Sequence, residues 1–591
     1  MPATEAVKRP KRIHEVVAGL GFPNWVTAAD ADVISWPPNL FAIAMILLRD
    51  SGAYLNVAKP PAELGVLEIT AGQWQEKVRK IGKEWSLDAH KIPSPVVAAW
   101  AIVKTHAELS LTAIRAQDEL WKTLLFLAAV TDEACAGVGV LGRLEDLWES
   151  LESIEHLSVD QAVAAVERTV QYRATQRLIS WSKAHEQDEK VSLENASTLC
   201  DGIHQSRAIV LPKMRTPQRG ISIRSLSHNL ALFTGCDVAP AWLVTRDGAR
   251  LEGAGATRRR RTFNVLVYPH PFRIDPVQFR PIKGHDATCA RMASHCGLFE
   301  YDAREHESTL GGLNRILDGT DASVGRIDMV VLPEMAASRM QVDKEWRQGT
   351  PRDVPVFVCG VCEPPTDTQL GRNYAMVRCP APSDNDDATV EVFEATQHKH
   401  HRWALDDAQI RMYGLSRGLD PGTLWWEGIQ LDERNVYFFT LDEDYIFSVM
   451  ICEDLARPDP VGELVRAVGP NLVVALLQDG PQISQRWACR YATALSDDPG
   501  CSVLTVTSLG MTRLSRPGDF RAEHARKVAM WRDQVTGFRE FALPENAHAL
   551  VLTLTETSVR EYTADGRDDR EQAGCLRLGG VHFLDAEGRC V

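Results

Sequence analysis

The chain has 591 residues, 45% of them hydrophobic and 24% charged, with a formal net charge of −14. That length points to several domains, and the composition is that of an ordinary globular protein with ample chain for large cores. The acidic balance argues against a nucleic-acid partner, because such binding works by neutralising phosphates.

The N-terminus carries Lys8, Arg9, Lys11 and Arg12, but no apolar run follows them, so no signal peptide is expected. The longest apolar run, Leu40 to Leu48, is far shorter than the roughly 20 residues that span a bilayer. No membrane partner is therefore expected. Thirteen cysteines is an odd count, irregularly spaced, which suits a reduced, cytoplasmic protein better than a disulfide framework.

Residues 1–190 read as a helical N-terminal domain. Trp36-Pro37-Pro38-Asn39 looks like the start of a helix, since proline is tolerated in the first turn. Leu120, Leu124 and Leu127 form one apolar stripe at helical spacing. Val163, Val166, Val170, Ala174 and Leu178 form another. Six aromatics (Trp25, Trp36, Tyr54, Trp74, Trp85 and Trp100) fit core packing, with a ligand or partner surface as the alternative.

Residues 191–261 read as a transition or linker region. Thr216 to Gly220 is turn-like, and Ile221-Ser222-Ile223-Arg224 alternates like a strand. The stretch Gly253 to Thr257 reads as a boundary, and the arginine run Arg258 to Arg261 as solvated chain. From 262 to 591 the texture changes. Strand-like runs at Phe263 to Tyr268, Ile327 to Leu332, Val354 to Cys359, Val436 to Thr440, Ile446 to Ile451, Leu472 to Leu477 and Ser502 to Thr507 alternate with helical or loop segments. Several are apolar throughout, as in strands buried on both faces, and the alternation predicts an α/β layered domain. The tail after Gly579 reads as a hairpin around Asp585-Ala586-Glu587-Gly588.

Three segments at the ends of strand-like runs carry candidate chemistry. They are Val330-Val331-Leu332-Pro333-Glu334, Gln397-His398-Lys399-His400-His401-Arg402-Trp403 and Ser448-Val449-Met450-Ile451-Cys452-Glu453-Asp454. Taken singly, a glutamate after a strand is a solvated loop residue, and a buried cysteine is a small hydrophobe. Their order and spacing, however, resemble the nitrilase superfamily of carbon–nitrogen hydrolases. The resemblance extends to Asn373-Tyr374, Gln485-Arg486-Trp487 and Ser508-Leu509-Gly510, and covers about half the chain. It implies an αββα nitrilase-like sandwich, a homodimer or larger homo-oligomer, and no metal or organic cofactor.

The resemblance also implies roles. Cys452 is the nucleophile, and its thiolate is the reactive form. Glu334 moves the proton, while Lys399 favours the thiolate and the developing oxyanion. The backbone N–H of Glu453 completes the oxyanion hole. The family often has a second acid eight residues after the lysine. Asp407 stands there, with Asp406 beside it, in place of the usual glutamate. Cys452-Glu453-Asp454-Leu455 is similar to the glutaminase-type members, so a small-molecule amide rather than a nitrile is the expected substrate. No Ser-Gly-Gly-x-Asp-Ser loop occurs, which excludes a fused ATP-dependent synthetase of that kind.

Three further readings stand beside this one. Val210-Leu211-Pro212-Lys213, Arg224 to Leu230 and Lys399 to Trp403 are similar to nitrilase domains of bacterial antiphage systems. That similarity implies a defence role and a defence-system protein partner. Cys359-Gly360-Val361-Cys362 is a Cys-x-x-Cys unit that would bind zinc only with further ligands, such as His398, His400 or His401; its apolar context reads as a core strand. The remaining alternative to catalysis is a nitrilase-fold scaffold or binding protein acting through oligomerisation.

Overall fold

The computed structural model describes residues 10–58, 60–61, 63–64, 69–87, 91–136, 138, 198–217, 220–235, 238–243, 262–282, 293, 295–303, 310–320, 324–346, 354–380, 392–441, 445–515, 522–569 and 573–591. The stripe from Val163 to Leu178, the stretch Gly253 to Thr257 and the arginine run at Arg258 lie outside these residues. The protein is α/β, with a helical N-terminal region and mixed sheets in its C-terminal part. It divides into two compact units. Unit 1 comprises 1–242, 467–469 and 558–573. Unit 2 comprises 243–466, 470–557 and 574–591.

Unit 1 is built on helices α1 (Pro37–Asp50), α2 (Trp74–Leu87), α3 (Ser94–Thr105) and α4 (Asp118–Ala134). Pro37 and Pro38 occupy the first turn of α1, where their missing N–H groups have no helical partner to lose. The apolar run that follows is buried from Leu40 through Leu48, so α1 is hydrophobic all round because it is central. Leu120, Leu124 and Leu127 of α4 are fully buried. Trp25, Trp74, Trp85 and Trp100 pack in the same core. No helix among the described residues is long and apolar enough to cross a membrane.

Within 191–261, strands β1 (Ile209–Pro212) and β2 (Leu230–Phe233) pair antiparallel. The segment at Ile221 departs from the sequence expectation. Ile223–Leu226 is a 3-10 turn, not a strand. The cause is local: the Ser225 hydroxyl accepts from the Ser222 N–H at 3.0 Å, which offers the backbone a turn in place of a ladder.

Unit 2 is a pair of sheets with helices outside. The strands of the first are β3 (Thr262–Val267), β4 (Met329–Val331), β5 (Val356–Glu363), β6 (Arg372–Pro380) and β7 (Val392–His398). A further strand, β8 (Leu424–Glu427), belongs to a small separate sheet. The second large sheet has β9 (Asn435–Thr440), β10 (Ile446–Ile451), β11 (Leu472–Leu477), β12 (Ser502–Thr507), β13 (Lys527–Asp533) and β14 (Gly537–Ala542). Finally β15 (Ala549–Val559) and β16 (Ala573–Leu584) return to the first sheet. The spatial orders are β7-β6-β5-β4-β3-β15-β16 and β14-β13-β12-β11-β10-β9.

The strands β10, β11 and β12 pair in parallel and are buried at every residue. Their continuous apolar runs reflect cover on both faces, and each buried Val, Ile or Leu contributes about 1.5–3 kcal/mol. On the outer face of the first sheet, Leu266, Val330, Phe357 and Met376 pack with Leu313 and Ile316 of helix α5 (Leu310–Thr320). The two sheets meet through Gln397 of β7. Its amide donates to Val449 O of β10 at 2.6 Å and accepts from Tyr437 N of β9 at 3.0 Å. The tail closes as a hairpin, with Leu584 bridged to Cys590 around the turn at Asp585.

Candidate active site

Glu334, Lys399 and Cys452 each follow a strand, and the fold brings them to one place. Glu334 lies just beyond β4, after Leu332-Pro333. Its backbone runs close against Gly360 of β5, where an added Cβ would sit 2.2 Å from Pro333 O. Lys399 directly follows β7, its N–H donating to Asn373 O at 2.9 Å. Cys452 follows β10 and precedes a short helix, α6 (Glu453–Ala456). Among the described residues, Met335 and Cys452 are the non-glycine residues with positive φ, at 52° and 45°. Such backbone costs on the order of 1–3 kcal/mol and clusters at functional sites. Here it flanks the glutamate and coincides with the cysteine.

The centre is an ammonium between two carboxylates. Lys399 Nζ donates to Glu334 Oε1 at 2.9 Å and to Glu427 Oε2 at 2.7 Å. Asn373 Nδ2 donates to Glu334 Oε1 at 2.7 Å and to Glu427 Oε1 at 2.8 Å, so one amide holds both acids. Backbone N–H groups complete the frame, Gln478 to Glu334 Oε2 at 2.6 Å and Trp403 to Glu427 Oε2 at 3.0 Å. The side chains of Glu334 and Lys399 are each 1% exposed. Two buried polar atoms beside this frame, Asn373 Oδ1 and His400 Nε2, have no partner.

Electrostatics follow from this arrangement. Burial raises the Glu334 carboxyl above the usual carboxylate range; the Glu427 charge adds to this, and Lys399 opposes it. Burial alone would depress Lys399, but Glu334 and Glu427 outweigh it and hold the ammonium charged. Burial pushes the Cys452 thiol well up, and the charge of Glu334 adds to this while Lys399 pulls the other way. The resting cysteine is therefore a thiol that needs a base.

The loops bearing Lys399 and Cys452 are tied together by Asp454. This buried carboxylate accepts from His400 N at 3.1 Å and from His401 Nδ1 at 2.9 Å. Burial disfavours its charge, yet the hydrogen bonds from His400 and His401 win and hold it below the usual aspartate range. A further buried set, Tyr413, Asp479 and Arg486, stands close enough for the Asp479 charge to raise the Cys452 thiol further.

One sequence expectation departs from the structure. Asp407 is not brought into the cluster: its side chain is 56% exposed at the start of a surface helix and pairs with Arg411 at 2.7 Å. The second acid is Glu427, at the end of β8, 28 residues after Lys399. No spacing rule pointed there, because β8 reaches the site through a separate small sheet. Its signal was the alternation in Leu424-Trp425-Trp426-Glu427, which buries Glu427 on the same face as Trp425. The side chain of Glu453 turns to Arg457 at 2.9 Å, which leaves its backbone N–H as the group relevant to the site. Cys359 and Cys362 fall in different hydrophobic clusters on opposite faces of β5, so they do not form a chelating pair.

No family model matches this chain, and no curated protein matches it. Solved structures do. One is Nit3 of Saccharomyces cerevisiae, described as a member of branch 10 of the nitrilase superfamily. The identity is 13% and the TM-score 0.25, over 50% of this chain and 92% of that one. A glutamine-dependent NAD(+) synthetase from Cytophaga hutchinsonii is similar at 10% identity and TM-score 0.25, over 50% of this chain and 43% of that one. The C. elegans NitFhit protein is similar at 12% identity and TM-score 0.26, over 48% of this chain and 62% of that one. This chain thus spans less than two thirds of the latter two. Its similarity to these three proteins extends over about half its length.

Proposed function

We propose that unit 2 is a carbon–nitrogen hydrolase that cleaves an amide through Cys452, Glu334 and Lys399, with Glu427 as the second carboxylate. The observation that carries this reading is the buried Lys399 ammonium held between Glu334 and Glu427, with a cysteine at positive φ beside it. In this reading Glu334 takes the thiol proton as Cys452 Sγ attacks the amide carbonyl carbon. The carbonyl oxygen becomes an oxyanion stabilised by Lys399 and the Glu453 N–H. The C–N bond then breaks, and the proton passes from Glu334 to the leaving ammonia or amine. Water attacks the thioester with Glu334 again as base, releasing the carboxylic acid and the thiol.

Amide chemistry is favoured over nitrile chemistry by the Cys452-Glu453-Asp454 sequence. Asn373 Oδ1, buried without a partner, suits a substrate N–H. The test is ammonia release from primary amides and matched nitriles by wild type and Cys452→Ala. Wild type turns over an amide, and the variant loses on the order of 10⁵-fold or more. Wild-type turnover in the variant ends the reading, and nitrile hydrolysis without amidase activity ends its amide part. The antiphage role is proposed on the same footing. Cells carrying the Cys452→Ala allele would then lose any protection that the wild-type gene gives against a phage panel, and equal protection by both alleles refutes it.

A further inference from the structure

Unit 1 contains a recess that the hydrolase reading leaves unused. Its lining includes Lys213, Arg215, Arg224, Ser227, His228 and Glu561. Three of these side chains are basic and one is a carboxylate, in a chain of net charge −14.

The chain builds this recess rigidly. Lys213 directly follows β1, and His228 lies between the 3-10 turn and β2, with Asn229 next to the strand. Asp132 of α4 clamps the intervening backbone, accepting from His228 N and Asn229 N at 2.8 Å each and from Leu230 N at 2.9 Å. Lys213 Nζ is buried and donates to two carbonyls, Arg224 O at 2.6 Å and Ser227 O. Among the described residues no carboxylate bonds it, and burial, with the charge of Arg224, pushes its pKa well down. Arg215 donates to the Asn229 side chain at 2.6 Å, and no ion pair reaches it among the described residues. His228 lines the same recess, and its Nε2 is buried without a partner. Burial, with the charges of Arg567, Arg215 and Lys213, keeps that imidazole neutral.

We propose that this recess is an anion-binding site that takes a single oxyanion group, the phosphate or carboxylate end of a small ligand. An oxyanion accepts from the imidazole N–H and the Arg215 guanidinium together, its charge favours protonation of Lys213 beside it, and charge-assisted bonds of this kind are the strong ones. A cation is repelled by the Arg215 and Arg224 guanidiniums, and an apolar group leaves the His228 nitrogen unsatisfied.

The test is calorimetric titration of the full chain with inorganic phosphate and with acetate at constant ionic strength. Saturable binding of one of them is expected. Arg215→Gln weakens it about tenfold, as the loss of one charged hydrogen bond does. Arg215 is half-buried and bonds a single side chain, so this variant keeps the wild-type thermal midpoint. His228→Asn provides a second, independent loss of affinity. The anion bound more tightly identifies the end group as phosphate or carboxylate. Absence of saturable binding for both anions, or binding that Arg215→Gln leaves unchanged, overturns the proposal.

Discussion

Each unit buries a cation among carboxylates, and the two clusters differ in what surrounds them. In unit 1, Arg567 is fully buried and donates to Asp132 at 3.0 Å, Glu133 at 2.7 Å and Asp565 at 3.0 Å. Its Nη2 donates to Leu226 O at 2.8 Å. The acids are satisfied in turn: Asp132 by three backbone N–H groups and Asp565 by the Trp74 indole at 2.7 Å. Burial opposes the Arg567 charge, but Asp565, Asp132 and Glu133 override it. In unit 2, the Lys399 cluster sits beside a cysteine at positive φ and an amide oxygen with no partner. A buried ion cluster is therefore not in itself a sign of chemistry. What separates the two is an adjacent nucleophile on strained backbone.

That contrast can be broken experimentally. The largest stability effect is expected from Arg567→Met, which strands three carboxylates in the interior and lowers unfolding free energy by about 3–5 kcal/mol. Chemical denaturation checks it, and an unchanged midpoint would make the unit 1 cluster dispensable. Asp454→Asn comes next, with a loss of about 2–3 kcal/mol at neutral pH as charged hydrogen bonds to the His400–His401 loop weaken. Because the folded-state carboxyl is held low, its contribution is fully present above the ordinary aspartate pKa of about 3.9. It fades as pH falls through the lower folded value. Wild type and variant should therefore converge in stability in acid; a constant gap refutes the charged role.

The smallest shifts sharpen the site itself. Burial is the main reason the Cys452 thiol is raised, but Glu334 raises it further and Lys399 lowers it. Glu334→Gln should therefore move the pH midpoint of Cys452 alkylation down, and Lys399→Met should move it up, each by on the order of one unit. Shifts in the same direction would separate the thiol from this cluster. In turnover, the raised Glu334 carboxyl places the acid limb of the kcat/KM profile above the ordinary glutamate value of about 4.3.

Much of this was visible along the chain. The strand runs ending at Ile451, Leu477 and Thr507 coincide with β10, β11 and β12 because a strand buried on both faces is apolar throughout. The prolines at 37 and 38 marked the start of α1 because proline suits the first helical turn. Ile221 to Arg224 misled, since serine hydroxyls turned an alternating pattern into a 3-10 turn.

A family resemblance in order and spacing singled out Glu334, Lys399 and Cys452, and each does follow a strand. Glu427 carried only the alternation of Leu424 to Glu427, and the unit 1 recess had no local mark at all. A carboxylate becomes the partner of Lys399, and an imidazole nitrogen becomes an orphan, only when strands far apart in the chain converge and remove water from both. Burial and partnership are properties of that convergence, which no local run of residues encodes.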